Sequence, residues 1–310
     1  MPKQIKRFSK HSIWFIDAVD DTMLNFKQEL TGAFGQPIAE NPTQAMVEAA
    51  YRHHQLDWRY LSIEVAPDGL ADAVAGAKAM GFIGFNCTIP HKVSVIQYLD
   101  GLGDSAALMG AVNCVVRRGT QWIGENTDGK GFVESLCRRF DPVGKNVVLF
   151  GAGGAARAIS VELCLAGIAG ITIVNRTAGR GQSLAELLST KVTDSVQRAL
   201  DIQFTLWDGV YEVPSDTDLV VNATSIGLYP DTNDTLPLAS DSIQPQMFVA
   251  DVIPNPPETL FIKMAKARGC EVIDGLEMLV AQGVIGIRHW AGIDADAVIM
   301  RQALENVFDA

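Results

Sequence analysis

The sequence lacks a long uncharged apolar run, a paired cysteine motif and any excess of positive charge. Its 310 residues carry 36 acidic and 25 basic side chains, a formal net charge of −11. Nucleic acids and anionic membranes attract basic surfaces, so neither is an expected partner. The apolar run 13–16 is cut short by Asp17, too early for a signal-peptide core or a membrane span. We therefore expect a cytoplasmic protein with no membrane partner.

The five cysteines are an odd number, widely spaced, with no Cys-x-x-Cys. This pattern is typical of free thiols in a reducing compartment rather than of a disulfide framework. No spacing of His and Cys resembles a zinc site, and His53 and His54 are adjacent instead of one helical turn apart. We predict no metal.

The length exceeds one compact core and predicts two domains. Short apolar strands alternate with amphipathic helical stretches, which predicts an α/β fold with a largely parallel sheet in the first domain. There we predict strands at 30–34, 60–65, 82–86 and 111–116, a hairpin partner at 122–124, and helices at 43–54, 70–80 and 90–99. Further on we predict strands at 147–150, 171–174, 204–206, 219–222, 248–251 and 271–273, and helices at 132–139, 155–166, 179–188, 275–290 and 295–308.

A glycine-rich loop follows the apolar strand at 147–150 and opens a helix, which is the setting that dinucleotide binding requires. Gly151 permits a tight turn, Gly153 lets the backbone approach a pyrophosphate, and the helix amides can hold phosphate. We predict that the loop binds the cofactor through Gly151, Ala152, Gly153, Gly154 and Ala155. A glycine-rich turn without a ligand is the alternative.

The end of the next strand indicates which dinucleotide binds. NAD-specific folds place an acid here for the ribose 2′-hydroxyl, whereas an arginine accommodates a 2′-phosphate. The acid is absent, and Arg176 stands between Asn175 and Thr177, with Arg180 four residues on. A guanidinium binds phosphate through a planar fork of donors, so the two arginines favour NADP over NAD. We predict that Asn175, Arg176, Thr177 and Arg180 contact this cofactor. Two solvated surface arginines are the alternative.

Polar residues mark a second site in the first domain. Lys92 follows a predicted strand end, where ligands bind in open α/β sheets. Asp128 precedes a helix and could orient or accept a proton from a nearby lysine. Asn113 and Gln282 fall in apolar surroundings, where their amides need partners. Taken singly, a solvated Lys92 and a helix-capping acid at 128 are the simpler interpretations.

The ordered set of motifs resembles the shikimate dehydrogenase family over most of the chain from Gly32 onward. The matching segments are Asn86–Lys92, Gly110–Asn113, Asn126–Gly129, Gly151–Ala156, Asn175–Thr177, Asn222–Ser225 and Asp274–Gln282. The resemblance implies an N-terminal α/β substrate domain and a Rossmann-like NADP-binding domain separated by a cleft. In residue numbers it implies a substrate domain at 1–126 (1–26 an unassigned extension), a cofactor domain at 127–275, and C-terminal helices at 276–310 that return to the substrate domain.

The same resemblance implies a function: NADP-dependent, reversible reduction of 3-dehydroshikimate to shikimate in aromatic amino-acid biosynthesis. Lys92 and Asp128 would be the catalytic pair for proton transfer, with hydride from NADPH. The implied substrate contacts are Asn86, Thr88, Asn113 and Gln282, with Asn41 and Thr43 in the carboxylate-binding segment. Thr224 and Ser225 would lie near the nicotinamide.

Two departures from the family pattern bear on the substrate. The carboxylate-binding segment, Gly-x-Pro-Ile-x-His-Ser-x-Ser-Pro in the family, has Asn41 and Thr43 in place of its two serines, and Glu40 adds a negative charge. Pro254 replaces the usual tyrosine after the strand that ends at Asp251. A hydroxyl and an amide can still bind a carboxylate, but Glu40 would weaken an anion unless it points away.

Alternatives therefore stay open. A small anionic cyclic substrate is expected, but a quinate or aminoshikimate dehydrogenase, or a paralogue for another cyclic hydroxy acid, fits the same motifs. A non-catalytic sensor of a dinucleotide and a metabolite is a third hypothesis, and a Lys92–Asp128 pair would count against it. The chain could be a monomer or a homodimer.

Overall fold

The computed structural model describes residues 26–308, which form two six-stranded sheets covered by helices. The extension predicted at 1–26 lies outside the described residues except for Phe26. Within 26–308, no helix has both the length and the apolar character needed to cross a membrane.

The first sheet is mixed. Its strands are β1 (Glu29–Gly35), β2 (Trp58–Glu64), β3 (Gly84–Cys87), β4 (Gly101–Leu102), β5 (Cys114–Arg118) and β6 (Gln121–Glu125). Their order is β2-β1-β3-β5-β6-β4. Strands β2, β1 and β3 run parallel, whereas β5 pairs antiparallel with both β3 and β6. The β5–β6 hairpin was predicted, and β4 pairs parallel with β6, so three of the five strand pairs are parallel and the expectation of a largely parallel sheet holds in part.

The second sheet is wholly parallel. Its strands are β7 (Asn146–Phe150), β8 (Gly170–Asn175), β9 (Asp201–Leu206), β10 (Leu219–Asn222), β11 (Phe248–Asp251) and β12 (Glu271–Ile273). The order β9-β8-β7-β10-β11-β12 is that of a doubly wound dinucleotide-binding sheet, with its switch point between β7 and β10. Central strands such as β7 are buried on both faces, which explains their uninterrupted apolar sequences.

Eleven α-helices cover the sheets within residues 26–308. They are α1 (Thr43–His53), α2 (Leu70–Met80), α3 (His91–Ser94), α4 (Asp104–Met109), α5 (Thr127–Leu136), α6 (Gly154–Ala166), α7 (Ala178–Leu187), α8 (Thr193–Val196), α9 (Leu260–Ala267), α10 (Gly275–Ala291) and α11 (Ala297–Phe308). Helices α10 and α11 share an apolar core with α1 and the first sheet, and the Trp290 indole donates to the carbonyl of Val115 at 3.1 Å.

Helix α5 joins the two halves, and the prediction of a helix at 132–139 was wrong about where it begins. The side chain of Asn126 accepts from the amide of Asp128 and caps the helix at Thr127. Two glycines near the start of this helix allow close packing. A Cβ on Gly129 would lie 2.2 Å from the carbonyl oxygen of Ala158 in α6, and one on Gly131 would lie 2.6 Å from the amide nitrogen of Gln282 in α10.

Other boundaries also differ from the predictions. The helix predicted at 90–99 is the single turn α3 followed by a 3₁₀ segment, Val95–Tyr98. The strand predicted from 111 begins only at Cys114, because the backbone N–H groups of Ala111 and Val112 donate to the carbonyls of Ala106 and Lys92 and not to a neighbouring strand. Helices α4, α8 and α9 were not predicted. In α9 the cap residue Thr259 accepts from the amide of Ile262.

Candidate active site

A cavity of about 420 Å³ lies at the carboxyl ends of β1 and β3, closed on one side by α5 and α10. All of the residues predicted for catalysis or substrate binding line it: Asn41, Thr43, Asn86, Thr88, Lys92, Asn113, Asp128 and Gln282. Glu40 and Pro254, the two departures, line it as well. A larger surface groove of about 850 Å³ between α1, β2 and α11 contains neither Lys92 nor Asp128. The smaller cavity is therefore the candidate substrate site.

The Lys92 ammonium lies 2.7 Å from Oδ2 of Asp128. The other carboxylate oxygen, Oδ1, accepts from the Asn113 amide at 2.7 Å. The side chains of Lys92 and Asp128 are 30% and 17% exposed, so the pair faces the cavity while one side remains packed. Both oxygens of Asp128 are engaged as acceptors, which holds the carboxylate and, through it, the ammonium in one place.

Asn113 connects this pair to α5 and α10. Its Oδ1 accepts from the backbone N–H of Thr127 at 2.6 Å, and its amide donates to the Thr127 hydroxyl at 3.0 Å as well as to Asp128. The Thr127 hydroxyl lies 3.3 Å from Oε1 of Gln282. The Gln282 amide group donates to the carbonyl of Leu279 at 3.0 Å, so these buried polar side chains all have partners.

Tyr60 supports the site and was missed in the sequence. Its hydroxyl donates to Oδ1 of Asn86 at 2.6 Å, while the Asn86 amide donates to the carbonyl of Asn113 at 3.0 Å. Burial raises the pKa of Tyr60 well above its usual value, so the hydroxyl remains a donor. Tyr60 lies in β2, and only the β2-β1-β3 order brings it opposite Asn86, so no local motif marked it.

Residues 40–43 line the same cavity as Lys92. The Asn41 side-chain oxygen accepts from the amide of Thr43 at 3.0 Å, which leaves the Asn41 amide group as a donor. Thr43 is buried, and Glu40 is exposed at the cavity rim. Cys87 also lines the cavity, but burial raises the pKa of its thiol to about 12, so it stays protonated.

The cofactor loop lies between the ends of β7 and β10. Gly151 has a φ of +111°, and a Cβ there would lie 2.6 Å from the carbonyl oxygen of Ala223. Gly153 and Gly154 are exposed, and a Cβ on either would meet nothing within 4 Å. Helix α6 begins at Gly154 without a side-chain cap, so its first N–H groups are available. These residues fit a bound pyrophosphate, which would rest in this open space.

The residues predicted for the 2′-phosphate lie beside this loop. The parallel register of β7 and β8 pairs Phe150 with Val174, so the segments that follow both strands emerge together. Arg176, Thr177 and Arg180 are exposed, and the Asn175 amide donates to the carbonyl of Thr177. Ser225, on the loop after β10, is exposed. The Thr224 hydroxyl donates to Asn222 and accepts from the amide of Ile226, so both of its hydrogen bonds stabilise the loop.

Together these features define a two-domain, dinucleotide-dependent oxidoreductase with a lysine–aspartate pair at its substrate cavity. Comparison with known families agrees: the shikimate dehydrogenase substrate-binding domain matches residues 33–115, shikimate/quinate 5-dehydrogenase matches 135–257, and the shikimate 5′-dehydrogenase C-terminal domain matches 275–305. The NADP-dependent shikimate dehydrogenase of Desulforamulus reducens is 38% identical over 91% of this chain and 96% of its own.

Solved structures give two further relatives. The ligand-free 5-ketofructose reductase of Gluconobacter sp. strain CHM43 is 52% identical, with a TM-score of 0.87 over 92% of this chain and all of that one. A shikimate dehydrogenase in complex with NADP⁺ is 33% identical, with a TM-score of 0.83 over 92% and 98% of the two chains.

The chain belongs to the shikimate dehydrogenase family. Its predicted fold class and its class of reaction, oxidoreduction at a CH–OH group, are confirmed by these relatives. The predicted function and cofactor agree with the curated relatives, which are NADP-dependent shikimate dehydrogenases.

Proposed function

We propose that this chain reduces a small polyhydroxylated ketone with NADPH, and that Lys92 supplies the proton. The observation that carries the proposal is the Lys92–Asp128 pair, held at 2.7 Å and facing the cavity. NADPH, when bound, supplies the hydride to the carbonyl carbon. Lys92 donates a proton to the carbonyl oxygen as negative charge develops there, and Asp128 keeps the ammonium aimed at that atom. A sensor without catalysis would have no use for this arrangement.

Two substrates compete for the assignment, because the relatives described above are named for two different ones. The curated relatives, at 35–39% identity, are named for shikimate, and the substrate contacts that the family resemblance implies, Asn86, Thr88, Asn113 and Gln282, line the cavity. The relative at 52% identity is named for 5-ketofructose. Shikimate carries a carboxylate, whereas 5-ketofructose is an uncharged sugar ketone, so the charge of the cavity decides between them.

The cavity charge favours the uncharged ketone. Three ionisable carboxylate or ammonium groups line it, namely Lys92, Asp128 and Glu40, and the first two compensate each other. Glu40 therefore leaves a net negative charge, and segment 39–43 offers an anion only the Asn41 amide and the Thr43 hydroxyl. A carboxylate in this cavity would be repelled, whereas hydroxyl groups can donate to Glu40. We place 5-ketofructose first and 3-dehydroshikimate second.

The proposal also covers location and assembly. All five cysteines are free and four of them are buried, which supports the cytoplasm as the compartment. A monomer and a homodimer both remain compatible with the fold.

Steady-state reduction of 5-ketofructose and 3-dehydroshikimate with NADPH tests the assignment. We expect kcat/KM for 5-ketofructose to be at least about tenfold higher, the equivalent of about 1.4 kcal/mol. Glu40→Gln should shift the ratio toward 3-dehydroshikimate by about fivefold, the scale of one charge in a solvated cavity. Glu212→Gln, an exposed glutamate of the second domain, is the charge-matched control.

Each other outcome has a definite meaning. A higher kcat/KM for 3-dehydroshikimate would make the chain a shikimate dehydrogenase and end the 5-ketofructose assignment. An unchanged ratio in Glu40→Gln would remove Glu40 from substrate selection. Reduction of neither ketone would contradict the proposal as a whole.

A further inference from the structure

Asp251 is a buried carboxylate at the cofactor side that no motif marked for function. It is the last residue of β11, 1% exposed, and lies in register with Asn222, the last residue of β10. Asn222 is in turn in register with Phe150, which precedes the glycine loop. Three neighbouring strand ends thus place Asp251, Asn222 and the glycine loop in one row.

The Asn222 side chain connects Asp251 to the loop 223–227. Its amide donates to Oδ1 of Asp251 at 3.1 Å. Its oxygen accepts from both the backbone N–H and the hydroxyl of Thr224, at 3.0 and 2.7 Å. This loop contacts the glycine turn directly, because a Cβ atom built on Gly151 would lie only 2.6 Å from the carbonyl oxygen of Ala223.

An asparagine amide can turn over and exchange its nitrogen and oxygen, and only the hydrogen-bond partners select one orientation. An ionised carboxylate only accepts, so Asp251 requires the NH₂ group of Asn222 to face it. The oxygen of Asn222 must then face Thr224, where it accepts from both the backbone N–H and the hydroxyl. A neutral acid could donate instead and would permit the reversed amide.

Asp251 also holds the chain on its other side. Oδ1 accepts from the amide of Ile253 at 3.1 Å, and Oδ2 accepts from the hydroxyl of Thr259 at 2.7 Å. The carbonyl of Ile253 lies against Gly275 at the start of α10, and the next residue, Pro254, lines the substrate cavity. The same carboxylate therefore contacts the segments that form both binding sites.

We propose that Asp251 is a positioning residue for the dinucleotide: its carboxylate fixes the Asn222 amide, which holds the loop 223–227 against the glycine turn. The inference depends on dinucleotide binding at this edge of the second sheet and not on which ketone is reduced. Failure of the substrate assignment would leave it standing.

The groups around Asp251 allow it to be titrated. Burial raises its pKa to about 6, and neutral donors (Thr259, Ile253, Asn222 and Val252) offset part of that effect. Of the charged residues on the flanking elements, Glu258 pairs with Lys266 and Asp274 with Arg301, whereas Lys263 and Glu271 are exposed. The raised pKa places loss of the ionised form near pH 6, within reach of a binding experiment.

The test is calorimetric binding of NADP⁺, which survives acid, to the full chain and its variants. At pH about 7.5 we expect Asn222→Ala to weaken binding about tenfold and Asp251→Asn about fivefold, each on the scale of one or two hydrogen bonds. The double variant should bind no more weakly than Asn222→Ala, because Asp251 acts through Asn222. Additive losses, or unchanged binding in Asp251→Asn, would overturn the proposal.

A matched control and a pH series separate positioning from general loss of stability. Ser242 accepts from the amide of Val213 and donates to the carbonyl of Ala239 in the same domain, away from the loop. Ser242→Ala should lower Tm and leave NADP⁺ affinity unchanged. The ratio of wild-type to Asp251→Asn affinity should approach one as pH falls through about 6. A ratio constant over pH would contradict the role of the ionised carboxylate.

The wild-type protein alone gives an independent reading if a variant fails to fold. The 2′-phosphate of NADP⁺ titrates near pH 6, so NAD⁺, which lacks that phosphate, is titrated in parallel. Wild-type affinity for NAD⁺ should fall about fivefold below pH 6. An affinity for NAD⁺ that does not change with pH would overturn the proposal.

Discussion

The substrate side and the cofactor side of the molecule present different kinds of chemical group. On the substrate side, Lys92, Asp128, Asn113, Thr127 and Gln282 bond one another through their side chains. On the cofactor side, the chain offers backbone amides, glycines that leave space, and exposed arginines with no described partner among residues 26–308. The first arrangement fixes a reacting group at a point, and the second accepts the extended phosphates of a common cofactor.

The difference also determines how each side responds to a substitution. A side chain on the substrate side holds its neighbours, so its removal disturbs several contacts at once. An exposed arginine on the cofactor side holds only the ligand. Changes on the substrate side should therefore act on kcat, and changes on the cofactor side on affinity.

The largest effect is expected for Lys92→Ala. Removal of the proton donor should lower kcat by at least about a thousandfold, within the range of general acid catalysis. Affinity for NADP⁺ should stay within about twofold, because Lys92 lies in α3, which packs with the first sheet and not with the cofactor loop of the second. Single-turnover rates and calorimetric binding measure the two quantities separately.

Lys145→Ala is the matched control. Lys145 forms an ion pair with Asp218 at 3.0 Å, at the opposite, amino edge of the second sheet. It should cost at most about 1 kcal/mol of stability and leave kcat unchanged. A Lys92→Ala variant with wild-type kcat would remove Lys92 from the mechanism and with it the contrast between the two sides.

A smaller effect is expected for Arg176→Ala. The loss of one charge-assisted phosphate contact should weaken NADPH about tenfold to thirtyfold and leave NAD⁺ nearly unaffected. Because Arg176 is exposed, the difference should shrink at high salt. Arg138→Ala, an exposed arginine outside the cofactor loop, should leave both affinities unchanged. An unchanged preference for NADP over NAD in Arg176→Ala would refute its role.

The cofactor side was predictable because its signals are local. The strand 147–150, the glycine loop and Arg176 lie within about thirty residues, and each has a steric or electrostatic reason that can be stated from sequence. Strand ends were predicted within a few residues in this sheet. On the first sheet, by contrast, antiparallel β5 and the two-residue β4 depend on pairing with distant strands.

The substrate side was predictable in its residues but not in its contacts. Lys92 and Asp128 were singled out by position and resemblance, whereas Tyr60 and Thr127 were not, since their roles depend on sheet order and on the packing of α5. Gly129 and Gly131 have low intrinsic helix propensity, and their close contacts with α6 and α10 exist only in the folded chain. Asp251 was not singled out for the same reason: its side-chain partners Asn222 and Thr259 lie at the end of β10 and at the start of α9.

Asp251 gives the smallest expected effect. It also tests the contrast between the two sites most sharply, because it belongs to a buried side-chain network on the cofactor side. Its pKa is about 6 in the fold against 3.8 unperturbed, so the ionised form is less favourable when folded. Stability therefore falls as pH rises from about 4 to about 6, by up to about 3 kcal/mol at pH 7. Asp251→Asn has no carboxyl group to ionise at this position, so its Tm should lie a few degrees above that of the wild type at pH about 8. The difference in Tm should disappear at pH about 4.

Differential scanning calorimetry across this pH range measures the gap. Asp241→Asn, whose side chain is 95% exposed, should show none. A more stable but weaker-binding Asp251→Asn would mean that the ionised carboxylate is kept for the cofactor at the expense of stability, as positioning requires. A wild type more stable than Asp251→Asn at every pH would instead make the carboxylate a structural element, and the cofactor side would then rely on backbone and exposed arginines alone.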